Sequence, residues 1–293
     1  MSKMARLVRG EGQKSFVKLF ENLAERQSRW TVWTDFVVMS AIAISNTVDS
    51  VHREAREKEY MALASKYTKA ELEVLAEMLA ETVMALEANP NQDFLGEMYM
   101  ALGLGNEHRG QFFTPYHVCE FMAKATAGNL ADQIESQGWI SACDPTCGAG
   151  ALLVAFANEC RTQNINFQTS VLFVAQDIDY VVANMCYLQL SLLGCAGYVV
   201  VDNTLTNPST AYDKRGLIPV DKGNVWYMPM YFTGVWHWRR VWAGIDQLMA
   251  AAKPAEMPDV LEEVQPAEAV RTTEPMPEFP LYAETEAGQL TLF

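Results

Sequence analysis

The chain has 293 residues, half of them apolar, and a formal net charge of −14. That length accommodates one sizeable core with a smaller domain or tail, and the acidity argues against tight nonspecific binding of nucleic acid while leaving a local contact open. No run of about 18 uncharged apolar residues occurs, so no membrane span is expected, and the N-terminal "MSKMARLVRGEGQKSF" lacks the apolar stretch of a signal peptide.

The charge is uneven. Residues 1–58 hold ten Lys/Arg against seven Asp/Glu, whereas 253–293 hold two against nine. Six scattered cysteines, without histidines at metal-ligand spacing, read as reduced thiols of a cytoplasmic protein with no metal site.

In chain order, residues 15–60 have helical periodicity. Within them "WTVWTDFVVMSAIAISNTV" is apolar on nearly every side and predicts a buried helix. "TKAELEVLAEMLAETVMALEANP" follows, with a capping box at Thr68 and Glu71 and a stop at Asn89-Pro90. The expected first domain, 1–105, is therefore all helical. "FFTPYHVCEFMAKAT" predicts a helix capped by Thr114, with Pro115 at its first position and Val118, Phe121, Met122 and Ala125 on one face. A loop over "AGNLADQIESQG" leads to strand "WISAC", a glycine turn, helix "ALLVAFANEC", strand "VLFVAQD", helix "YVVANMCYLQLSLLG" and strand "GYVVVDN". This alternation predicts adjacent parallel strands near 139–143, 171–175 and 198–201, the first in the middle. After Asn203 the pattern supports two short strands, about Leu217–Val220 and Val225–Tyr231, and a Trp-rich helix. The α/β domain spans 106–252. The Pro/Glu/Ala-rich segment 253–293 reads as a disordered acidic tail.

The turn "DPTCGAG" joins a strand ending in Asp144 to a helix. Its glycines let the backbone approach a nucleotide-like ligand at the helix N-terminus. A P-loop is excluded, because no Gly-Lys-Ser/Thr follows. Asp177 ends the second strand, where an acid can accept both ribose hydroxyls, and Asn203 ends the third, where an amide can read an adenine edge. A tight turn without ligand is the alternative for the glycines alone.

"GQFFTP" (Gly110–Pro115), "DPTCGAG" (Asp144–Gly150), "QDID" (Gln176–Asp179) and "DNTL" (Asp202–Leu205) stand in an order that resembles adenine-N6 DNA methyltransferases. The likeness is strongest to modification subunits of type I restriction-modification systems and their phage or mobile-element relatives, and "DFLGEMYMALGLG" resembles the end of their helical N-terminal domain. The resemblance, covering about 90–205, implies an α/β, truncated Rossmann-like S-adenosylmethionine-dependent methyltransferase fold behind a helical domain. It implies S-adenosylmethionine as cofactor, held by Gln111, Phe112, Phe113, Thr114 and Pro115 at its methionine end and by Asp144, Thr146, Cys147, Gly148 and Gly150 in the turn. Asp177 would take the ribose and Asn203 the adenine, where the family usually has an acid.

Methylating an adenine amino group requires a flipped base, for which the family uses Asn/Asp-Pro-Pro-aromatic after a fourth strand. That tetrapeptide is missing. "NPST" (Asn207, Pro208) and "YMPMYF" (Tyr231) are the nearest strings, and about fifty residues between Asn203 and the tail leave little room for a catalytic half or a target-recognition domain. Two readings stay open: an adenine-specific enzyme with a diverged motif, completed by a partner subunit, and a degenerate methyltransferase serving as a DNA-metabolism adaptor. "GVWHWRRVW" is either a closing helix over a truncated sheet or a strip offering Arg239 and Arg240 to DNA. The final "QLTLF" resembles the peptide by which bacterial DNA-processing proteins dock on the sliding clamp, with Gln289 at the rim and Leu290, Leu292 and Phe293 in the apolar pocket; a terminus folded back onto the body is the alternative.

Overall fold

A computed structural model describes residues 10–104, 113–220, 222–252, 283–284 and 289–291. Four helices open the chain: α1 (Glu11–Ala24), α2 (Arg29–Ser45), α3 (Arg53–Ala64) and α4 (Lys69–Ala88). Helix α2 is the all-round apolar segment and is buried along most of its length, as such a helix must be. Thr68 and Glu71 form the reciprocal cap of α4. A short helix, α5 (Phe94–Ala101), closes the helical layer.

Next come α6 (Tyr116–Ala127), α7 (Leu130–Gln137), β1 (Ile140–Asp144), α8 (Ala151–Thr162), the single turn α9 (Phe167–Ser170), β2 (Val171–Asp177), α10 (Tyr180–Leu192) and β3 (Ala196–Val201). Strands β1, β2 and β3 pair in parallel, with Ile140 opposite Val171 and Leu172 opposite Ala196. Beyond them lie β4 (Val225–Tyr227), the 3-10 turn Pro229–Phe232, α11 (Gly234–Ala252), β5 (Ala283–Glu284) and β6 (Gln289–Thr291). The sheet order is β4-β3-β2-β1-β6-β5, with β4 antiparallel to β3 and β6 parallel to β1. This is a truncated Rossmann-like fold behind a helical layer. Among the described residues no helix is long and apolar enough to cross a membrane.

Strand alternation divides the core into two. Val171, Phe173 and Ala175 join Ile140 and Ala142 under α8, α10 and the helical layer. Leu172, Val174, Tyr198 and Val200 face the other way, onto Leu217, Tyr231 and Trp236. The first cluster is continuous from Phe16 in α1 to Leu190 in α10, so the helices and the sheet share one core. Arg56 ties the two at the sheet edge: it donates to Asp49 and to the Val225 carbonyl, both at 2.7 Å, and lies over the Trp226 ring.

Several expectations change. β2, not β1, is the middle of the three parallel strands, because successive right-handed crossovers step in one direction and leave the far edge of β1 for β6. α6 begins at Tyr116, with Pro115 as its cap. Its inner face is Cys119, Ala123 and Thr126 rather than Val118 and Phe121, since small residues allow close packing on α8 while Phe121 turns outward. The segment expected as a loop contains α7, ended by Gly138 in the left-handed conformation. Residues 217–220 form no strand; Asp213 instead accepts the N–H groups of Leu217 and Ile218. The last stretch is not wholly unstructured, because Gln289–Thr291 pairs with Ser141–Cys143, satisfying backbone groups that a buried β1 would otherwise leave open.

Candidate cofactor site

The three parallel strands run to one side of the sheet; β1 and β2 each end at an aspartate, and β3 ends at Val201, with Asp202 and Asn203 following. Asp144 closes β1, and its carboxylate accepts the Thr146 N–H at 3.1 Å, folding the chain into the turn. The Cys147 N–H donates to the Gln176 carbonyl and the Gly150 N–H to the Cys147 carbonyl, which fixes the turn against β2. Gly148 has φ +54°, and a Cβ there would stand 3.4 Å from the Phe113 ring. Gly150 has φ +91°, and a Cβ would meet Cys186 of α10 at 2.8 Å. Gly148 thus keeps the mouth of the turn open, whereas Gly150 lets α8 approach α10.

Asp177 reaches across from β2. One oxygen accepts the Gly148 N–H and the other the Asp179 N–H, each at 2.9 Å. A carboxylate has about four acceptor positions, so it still has capacity for hydroxyl donors. Burial drives its pKa up, against those two N–H donors. Asp144 is more enclosed; burial pushes its carboxyl up to about 7, opposed by the Thr146 N–H and reinforced by the charge of Asp177. Asn203 lies past β3, its side-chain carbonyl holding the Leu205 N–H.

Phe113, Thr114, Asp144, Thr146, Cys147 and Gly148 line one cavity of about 160 Å3. It adjoins a larger cleft of about 540 Å3 that shares Phe113 and Thr114 with it and also reaches Pro115. Cys147 contributes backbone to the turn; its thiol is buried, with a pKa raised by burial and by Cys186. Gln111 and Phe112 lie outside the described residues, as do Leu292 and Phe293.

The same cavity contains a residue that sequence reasoning passed over. Asp93, 3% exposed, caps α5 by accepting the Gly96 N–H, and accepts from Gln189 at 2.8 Å. Gln189 also donates to the Ala149 carbonyl, linking the helical layer to the glycine turn. Burial raises the Asp93 pKa. An Asp three residues before a Gly at a helix start was the available signal. Gln176 is a second omission: fully buried, it donates to the Asp202 and Asn207 carbonyls and accepts the Ser209 N–H, pinning the 202–209 loop over the site. Ile178, 72% exposed directly after Asp177, is the third; an apolar side chain left in water beside a ribose acceptor offers a face for a flat base.

The catalytic candidates are not brought into this crevice as free groups. Tyr231 is buried behind the antiparallel strand β4, stacked on Tyr227 and donating to the Leu217 carbonyl, so it serves the second core. Asn207 does lie above the carboxyl ends, but its amide donates to Asp202 and its oxygen accepts from Lys222. Pro208 takes part in that loop through its carbonyl, which accepts the Ala211 N–H. Arg239 donates to the Thr169 and Gly138 carbonyls and Arg240 covers Tyr231 and Phe232, so both are engaged in packing. Among the described residues no His/Cys/Asp/Glu cluster could hold a metal ion.

Residues 91–221 match the family model described as N-6 DNA methylase. This part of the chain is similar to the N-6 DNA methylase family. The match contains the glycine turn, Asp177, Asn203 and the segment after α5. No curated protein matches the chain. Among solved structures it is similar to a class I S-adenosylmethionine-dependent methyltransferase from Listeria monocytogenes, at 13% identity and a TM-score of 0.37; the similarity covers 72% of this chain and 56% of that one.

The matched family's methyl donor is S-adenosylmethionine, and the residues gathered in this crevice suit such a molecule. A cradle that a Cβ at Gly148 would narrow suits close backbone approach, and buried carboxylates at Asp93 and Asp144 suit a ligand bearing an ammonium and a sulfonium. The remaining acceptor capacity of Asp177 suits a diol.

Proposed function

We propose that this chain binds S-adenosylmethionine at the carboxyl ends of β1, β2 and β3 and acts at DNA, without carrying a complete adenine-methylating site of its own. The observation that supports this most is the joining of Asp177 to Gly148 across two strands, within a domain matched as an N-6 DNA methylase. Asp93 and Asp144 would face the methionine end, Phe113 and Thr114 would flank it, and Asp177 would accept from the ribose. Ile178 and Asn203 would meet the adenine. When bound, the cofactor supplies an activated methyl group. This chain's residues bind it, orient it and withhold water from its methionine end.

Transfer to an adenine amino group needs an acceptor to align that group and a ring to hold the flipped base. Asn207 and Tyr231 have those chemistries but are engaged elsewhere. A partner subunit of a restriction-modification or phage system would therefore supply the aligning strand and the target recognition. Six free, buried cysteines suit a reducing compartment such as the cytoplasm. The test has two arms: binding of S-adenosylmethionine by calorimetry, and transfer of labelled methyl groups to DNA of mixed sequence. Binding with little or no N6-methyladenine is expected; robust turnover by the isolated chain would contradict the incomplete-site reading.

The "QLTLF" segment supports a further part of the proposal, docking on a bacterial sliding clamp. Gln289–Thr291 lies along β1, so docking would require these residues to leave the sheet and the affinity should be modest, near the micromolar scale of about −8 kcal/mol. A pull-down of clamp with the full chain and with a variant changed to alanine at Leu292 and Phe293 decides it; equal recovery disposes of this part.

A further inference from the structure

Helix α11 is apolar on two opposite sides. Its inner side is anchored in the first turns: Trp236 is buried and donates to the Gln168 carbonyl, Arg239 donates to the Thr169 and Gly138 carbonyls, and Ala243 packs on the second core. On the outer side stand Val235, Trp238, Trp242, Ile245 and Met249, spaced three and four residues apart, with Leu248 beside them. That is the a/d spacing of a helix that pairs with another helix. Trp238 is 62% and Trp242 63% exposed, and the stripe continues past Ala243 to Met249, into turns that project beyond the anchoring contacts.

A helix with such a stripe in water is unfavourable twice over. It leaves apolar area wet, and its last turns lack the tertiary packing from which most helical stability in proteins comes. Two tryptophans at roughly 150 Å2 each, with the aliphatic residues between them, leave on the order of 700 Å2 of apolar surface per copy, near the about 800 Å2 per partner of a stable interface. This exceeds the roughly 300–600 Å2 of the largest patch on an ordinary monomer.

From these observations we infer that α11 is a homodimerisation helix, its outer stripe packing on the same stripe of a second copy. The stripe is suited to its own image. It carries no charged residue along its length, and Trp242 stands near its middle, so a two-fold axis there covers both copies with one patch. The inference does not depend on cofactor binding.

Sedimentation equilibrium of the full chain at about 10 μM, well above a sub-micromolar Kd, tests it. The expected mass is twice the 32.8 kDa of one chain. Two variants should be monomeric with an unchanged circular dichroism spectrum: Trp238→Glu with Ile245→Glu, and Leu248→Glu with Met249→Glu. The second pair lies beyond the anchored turns, so it remains informative if the first disturbs folding. A monomeric wild type overturns the inference, whether its tryptophans are open to iodide quenching or covered by residues 253–293. So does a dimer that survives both variants.

Discussion

Asp144→Asn separates the cost of the site from its use. The Asp144 carboxyl is 5% exposed and pushed up to about 7 by burial, against 3.8 for a free aspartate. A carboxyl whose folded pKa lies above its unfolded value binds its proton more tightly in the folded chain. Its contribution to stability is therefore greatest below about pH 4, falls as pH rises from about 4 to about 7, and stays low above that. A gap of about three pKa units corresponds to about 4 kcal/mol when fully expressed. Asparagine keeps the acceptor for the Thr146 N–H and never ionises. The variant should thus match the wild type near pH 4 and exceed it by about 2–4 kcal/mol at pH 8, the lower end allowing for the amide's own burial. Urea unfolding followed by tryptophan fluorescence at pH 4.5, 6 and 8 measures this, and the same variant should bind a cationic cofactor less well. A variant less stable at pH 8, or a difference constant across pH, would refute the reasoning.

Asp177→Ala removes the acceptors offered to the ribose and should weaken S-adenosylmethionine binding by about 2–3 kcal/mol, roughly 30- to 150-fold, read by calorimetry. Arg56→Leu leaves Asp49 and the Val225 carbonyl without their buried partner and should cost about 3–5 kcal/mol in chemical denaturation. Pairing it with Asp49→Leu should return part of that loss, and no recovery would mean that the guanidinium acts through Trp226 rather than through its charge.

The parallel strands and the glycine turn were legible because their signals are local. A strand ending in Asp144 followed by two spaced glycines marks a tight turn into a helix, and strands separated by long helices dictate a parallel sheet. What was hidden depends on contacts distant in sequence. Asp93 and Gln189 are 96 residues apart and meet only because α5 packs on α10. Nothing local distinguishes the inner from the outer face of α6, where both carry apolar side chains and packing on α8 selects the smaller ones. Tyr231 sits in an aromatic string that looks like a base-stacking site until β4 turns antiparallel and places it under the second core. The Gln289–Thr291 strand was obscured by a composition of prolines and glutamates, although the open edge of β1 needed a partner.

Calorimetric titration of the full chain with S-adenosylmethionine, beside Gly148→Val, tests the central claim most directly. Any side chain at φ +54° is strained, and a branched one would crowd the space against Phe113. The account predicts one site per chain in the wild type and none detectable in a variant that retains its circular dichroism spectrum. A folded wild type that gives no heat with S-adenosylmethionine, or equal affinity in the two proteins, would contradict it.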